Sequence, residues 1–245
     1  MFKVFVGTMY CGENEFDCSQ QFVDEQKNVI ISKYIIKNKP EHEAAKELYS
    51  TWNIVKCEYD FFVQVDADTI LAHDYVFDNA TQLLYSHLSP LRDNTKTFTS
   101  LQAPLYDYLT NDYVMGLNVY STQVEWDVNV DKLYTDRCTK NNKTMRTDNF
   151  KEFPKSLVPA GSHATRLSNV QAYHYGIHRG LKRQFDKRDK ILRALQNLPV
   201  FISSMPRVFA LQGFEDCEKF RGTNEFNYND DKFLRAFAEA KAKLI

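Results

Sequence analysis

No stretch of this chain approaches the roughly 18 apolar residues of a membrane span, and the apolar part of its opening, MFKVFVGTMY, is too short for a signal-peptide core. A soluble protein of the cytoplasm is expected. Net charge is also missing: 31 Lys and Arg stand against 32 Asp and Glu, which leaves −1 and no global field to gather nucleic acid. Cysteine is sparse: Cys11, Cys18, Cys57, Cys138 and Cys217 are odd in number and show no Cys-x-x-Cys spacing. That speaks against a disulfide framework and a thiolate zinc site, and reduced thiols are expected. There is no internal repeat, no low-complexity segment and no linker. The 245 residues, 43% of them hydrophobic, therefore read as one α/β domain, long enough to bury a core without staples.

What the chain does have is DFFVQVDADTIL, residues 60–71. Phe61, Phe62, Val63 and Val65 are bulky or β-branched, and so continuous an apolar run suits a central strand covered on both faces. Ionised carboxylates are costly in such a place, so Asp66 and Asp68 belong where the strand emerges. One alanine separates them, so both point to the same side, where a divalent cation would supply the missing charge.

The surrounding pattern is strand, helix, strand, helix, strand. KVFVGT (3–8) is a first strand, Glu15 to Gln26 an amphipathic helix, and NVIISKYII a second strand. Pro40 then opens a helix with Ala44, Ala45, Leu48 and Trp52 at helical spacing. Connections this short imply right-handed crossovers and a parallel sheet, and ligands bind such sheets beyond the carboxyl ends of the strands. A helix over 74–87 and a strand over 113–121 follow; 122–156 is polar and gives no clear signal. SLVPAGSHA (156–164) reads as extended. One long helix is expected from about Val170 to Leu195, its stripe interrupted by Arg188, and a last one over DDKFLRAFAEAKAKLI, capped by its Asp pair.

In order and spacing, VFVGTMY, VIISKY, EHEAAKEL and FFVQVDADTIL resemble the nucleotide-sugar glycosyltransferases of the GT-A fold, in particular the family 2-like group. The likeness is good over 1–90 and looser to about 180 through GSHATRLSNVQAYHYGIHRGLK. It implies a Rossmann-like, mostly parallel sheet flanked by helices. Residues 1–90 would form the nucleotide-sugar-binding half, 91–180 the acceptor half and 181–245 a helical C-terminal extension.

The resemblance also implies roles. Asp68 would ligate Mn²⁺ or Mg²⁺, Asp66 would hold metal-bound water or the donor's ribose, and His163 would complete the ligand set. Thr8, Tyr10 and Glu13 would meet the base of a donor such as a UDP-sugar, and Lys46 its diphosphate, which Arg179, Lys182 and Arg183 of a later basic run could also reach. The family's Glu-Asp base motif is absent; Asp148 is the nearest equivalent, with Asp127 and Glu125 as alternatives. His174 and His178, four apart, share a helix face. His42, His73 and His87 read as surface residues. The segment 179–193 carries seven basic residues against Asp186 and Asp189, so a polyanionic acceptor such as DNA bearing a hydroxymethylated base, as in phage DNA modification, stands beside a saccharide. Two other functions share much of this pattern. A nucleotidyltransferase would usually carry a glycine-rich loop that GTMYCGENEF lacks, and a silent binding module would keep the pocket without the base.

Overall fold

A computed structural model describes residues 1–88, 97–129, 139–145, 153–197, 204–223 and 227–245. The first half alternates as expected: β1 (Phe2–Tyr10), α1 (Phe16–Asp24), β2 (Val29–Lys37), α2 (Glu41–Val55) and β3 (Phe61–Gln64). Then come β4 (Thr69–Leu71), α3 (Val76–Leu88), β5 (Ser100–Asp107) and β6 (Asp112–Ser121). Short strands β7 (Glu125–Trp126), β8 (Thr139–Lys140), β9 (Thr144–Met145) and β10 (Gly161–His163) lead to four helices: α4 (Asn169–Leu181), α5 (Phe185–Gln196), α6 (Met205–Asp216) and α7 (Asp231–Leu244).

The main sheet runs β2-β1-β3-β6-β5-β10-β4, with β9 on the starting end of β5. β1 pairs in parallel with β2 and β3, and β5 with β9 and β10, while β6 and β4 run the other way. The result is a mixed, mostly parallel α/β sheet with helices on its faces and a helical C-terminal part. It agrees with the expected fold class.

Alternation along the strands divides the core. Val4, Val6, Phe61 and Val63 face α1 and α3, joined by Val23, Phe77 and Leu84. Phe5 and Phe62 face the other way, onto Leu48, Tyr49 and Trp52 of α2, and Trp126 stacks on Tyr49 at 4.6 Å. Each of these fully buried side chains contributes about 1.5–3 kcal/mol relative to exposure. A third cluster lies among the C-terminal helices, where Tyr173, Ile177, Phe209, Phe214 and Phe233 pack together.

Two expectations are corrected. The long helix is broken: α4 ends at Leu181, Arg183 takes a left-handed φ of 55°, and α5 restarts at Phe185. The apolar spacing simply continues across the break. At the start of α7, Asp230 occupies the N-cap, yet its carboxylate accepts the Asn227 N–H at 2.7 Å and makes no capping bond. Among the described residues no helix is long and apolar enough to cross a membrane.

Candidate active site

The carboxyl ends of β1, β2, β3, β5 and β10 lie along one rim, where a cleft of about 430 Å³ opens. Asp66 and Asp68 leave β3 there, in a turn closed by the Thr69 N–H on the Asp66 carbonyl at 3.0 Å. The loop after β1 brings Cys11 and Glu13, the start of α2 brings Glu41, and α4 brings His174, His178 and Arg179.

His163 ties this rim together. Register sets it opposite Asp107 of β5 on one side and Thr69 of β4 on the other. Its Nδ1 is 3.0 Å from Asp107 Oδ1 and its Nε2 3.2 Å from Asp68 Oδ2. Asp107 is fully buried, and its oxygens also accept the Leu109 N–H at 3.3 Å, the Thr110 N–H at 3.1 Å and the Thr110 hydroxyl at 2.5 Å. Burial works against charge on all three groups. The two carboxylates outweigh it at His163, which is held well above the usual imidazole range, and the imidazolium holds Asp68 and Asp107 below the usual carboxylate range.

Asp66 differs. Burial first, and the neighbouring charge of Asp68 second, push its carboxyl up, although Gln64 Nε2 donates to it at 3.2 Å. Glu13 is pushed up to about 7, again mainly by burial, while its Oε2 accepts the Cys11 N–H at 2.8 Å. At Asp66 the charges of His163 and Arg179 offset burial and the Asp68 charge only in part. The cleft also carries Arg179, whose guanidinium lies over Tyr175 at 4.9 Å and donates to Gln184 at 3.0 Å, and Lys182.

The donor set fits a hard divalent cation. Asp68 Oδ2 and His163 Nε2, 3.2 Å apart, could both turn to such a cation once the proton between them is lost, and Asp107 stands behind the far imidazole nitrogen as carboxylates do behind metal-bound histidines. Among the described residues no three His, Cys, Asp or Glu side chains are grouped so that they could hold a metal ion by themselves. An open site of one or two carboxylates is what a cation shared with phosphates uses.

Of the other expected residues, Lys182 and Arg179 line the cleft, whereas Thr8, Tyr10, Lys46 and Arg183 are not among its lining residues. Thr8 is buried beneath the rim, where Gln20 Nε2 donates to its hydroxyl at 3.3 Å. Tyr10 stacks on Phe16 at 4.1 Å, and Lys46 is exposed on α2. Asp127 follows β7 away from the cleft and accepts the Asn129 N–H at 3.3 Å; Glu125 pairs with Lys56. Asp148 lies outside the described residues. His174 and His178 both line the cleft; His178 Nε2 is 3.0 Å from Glu41 Oε1, and burial lowers His174 to about 4. His73 is half-buried, its Nε2 2.8 Å from the Ser156 carbonyl.

Asp107 and Glu41 escaped the sequence reading. Asp107 ends a strand whose Pro104 disguises it, and Glu41 looked like an ordinary first-turn helix acid following Pro40.

No family model and no curated protein matches this chain. Among solved structures it is similar to S. aureus TarS, at 11% identity and a TM-score of 0.37, covering 98% of this chain and 49% of that one. A TarS fragment, 1–349, gives 11% identity and a TM-score of 0.35, covering 98% of this chain and 81% of that one. The chain therefore spans about half the length of the first of these structures. At so low an identity and TM-score, function has to be argued from the side chains of the cleft.

Proposed function

We propose that the cleft binds a nucleotide-diphosphate sugar, a UDP-sugar by the resemblance of the first ninety residues, together with Mn²⁺ or Mg²⁺, and transfers the sugar to an acceptor hydroxyl. The observation that carries this reading is the grouping of Asp66, Asp68 and His163 at the carboxyl ends of the strands, inside one cleft with Arg179 and Lys182. A divalent cation there would neutralise the charge that develops on the departing diphosphate.

In the reaction, the acceptor oxygen bonds to the anomeric carbon and the bond from that carbon to the diphosphate oxygen breaks. The nucleoside diphosphate leaves with the electron pair, and the acceptor proton passes to a carboxylate. Asp148 is the proposed base. Arg179 and Lys182 hold the diphosphate, and Glu13 meets the nucleoside beyond the end of β1.

Hydrolysis of a panel of nucleotide sugars, followed with and without Mn²⁺, tests this function. Release of sugar that depends on Mn²⁺ is expected. Pyrophosphate released instead from a nucleoside triphosphate supplied with a sugar 1-phosphate would indicate nucleotidyl transfer, and silence in both assays would leave a binding module.

A further inference from the structure

The β5–β6 hairpin carries a track of side chains that runs from the end of β3 to Tyr106 and Tyr108, which flank Asp107 beside the His163 strand. Register sets Gln64 opposite Asn118 and Asn118 opposite Gln102, so three carboxamides cross three adjacent strands in one row on one face. They are held in order: Gln102 Nε2 donates to Asn118 Oδ1 at 2.7 Å, and the Tyr49 hydroxyl donates to Gln64 Oε1 at 2.9 Å. A bulge at Ala103/Pro104 then keeps Met115 opposite Pro104 and Tyr113 opposite Tyr106, so the same face continues to the turn end of the hairpin. There the Tyr106 ring stands edge-on to Tyr113 at 5.9 Å and to Tyr108 at 5.1 Å, and Tyr108 is 49% exposed.

This track joins the cleft, because Gln64, Gln102, Met115 and Asn118 line it. A second cavity of about 420 Å³ opens off the same amide row toward Asn142 and Thr144; its described lining includes no Asp or Glu, and its two cations, Arg179 and Lys182, are those the transferase reading gives to the diphosphate. Two cations beside the hairpin are already committed: Lys190 Nζ to Asp112 Oδ2 at 2.6 Å, and Arg207 to the carbonyls of Leu109, at 3.0 Å, and Tyr108. A polyanion laid along the hairpin would find them engaged.

Carboxamides both donate and accept hydrogen bonds, which is what sugar hydroxyls require, and tyrosine rings offer apolar surface to the C–H face of a pyranose. We propose that this face of the hairpin binds a neutral oligosaccharide acceptor. The sugar to be modified lies over the Gln64, Asn118 and Gln102 amides, and its neighbour lies against Tyr113, Tyr106 and Tyr108. This assignment rests on the transferase reading and gives it an acceptor class.

The experiment is saturation-transfer NMR on the full chain with trisaccharides of glucose, galactose and N-acetylglucosamine, and with a single-stranded DNA oligonucleotide. UDP binding in Mn²⁺ is measured in parallel. At least one trisaccharide is expected to receive saturation, with Tyr113→Ala and Tyr108→Ala each weakening its binding about tenfold while UDP binding is unchanged. Tyr108 is exposed enough that its loss leaves the fold intact, and the melting temperature checks this. Binding of UDP with Mn²⁺ but of no trisaccharide, binding of the DNA alone, or saccharide affinity indifferent to both substitutions would overturn the assignment. Saccharide binding that responds to them in a chain that ignores UDP would support the track and remove the transferase reading instead.

Discussion

Asp107 Oδ1 stands 3.0 Å from His163 Nδ1, directly across the β5–β10 ladder. The contact fixes which imidazole nitrogen faces the cleft: with Nδ1 engaged in the interior, Nε2 is left to Asp68. The rim is therefore held by a buried acid one strand away from the Asp pair.

Removing that acid should be expensive. Asp107→Ala strips the acceptor from two backbone N–H groups, the Thr110 hydroxyl and the imidazole, and leaves a buried charge with one partner fewer. A loss of about 3–5 kcal/mol in urea unfolding is expected, as for other broken buried pairs. A loss below about 1 kcal/mol would show that water replaces the carboxylate.

Asp107→Asn separates orientation from stability. It retains one oxygen but no charge behind the imidazole, and buttressing carboxylates of this kind typically matter by about 10–100-fold in metal affinity. Manganese titration followed by electron paramagnetic resonance should show that loss in a chain that still folds. Unaltered affinity would make Asp107 a purely structural residue.

Glu13 gives a pH signature. Its folded-state pKa, about 7, lies above its ordinary 4.5, so between those values the folded chain keeps a proton that the unfolded chain has released. Stability from this group is thus present at low pH and lost as pH rises through about 7. Glu13→Gln, which keeps an oxygen for the Cys11 N–H, should melt progressively higher than the parent as pH goes from about 5 to about 8. Parallel melting profiles would place the carboxylate in water.

The helical layer depends on close backbone approach. A Cβ on Gly176 would stand 1.9 Å from the Ala210 carbonyl oxygen, and one on Gly213 would stand 2.2 Å from the Tyr173 carbonyl oxygen. Neither backbone can step aside alone, so Gly176→Ala should cost about 3 kcal/mol, the upper end of ordinary overpacking. A melting temperature unchanged within a degree or two would mean that α4 and α6 slide freely.

The first half of the fold was legible because its signals are periodic and local. Val4, Phe5 and Val6 alternate between two cores, and Ala44, Leu48 and Trp52 return at helical spacing. β5 was missed because Pro104 sits inside it, tolerated at a bulge. α6 was missed because Arg207, Gln212 and Asp216 are buried beside Phe209 and Phe214, which leaves no polar face to define a stripe. Asp66 and Asp68 stood out as acids at the end of an apolar strand. Their partner Asp107 did not, since only the β5–β10 pairing brings it to His163.

The most direct test of the central claim is calorimetric titration of UDP into the chain and into Asp68→Asn, each with and without Mn²⁺. Manganese should tighten UDP binding to the parent chain at least tenfold, and Asp68→Asn should lose that gain while keeping its melting temperature within a few degrees. UDP binding that ignores manganese, or a gain that survives in Asp68→Asn, would contradict a cation held at this rim.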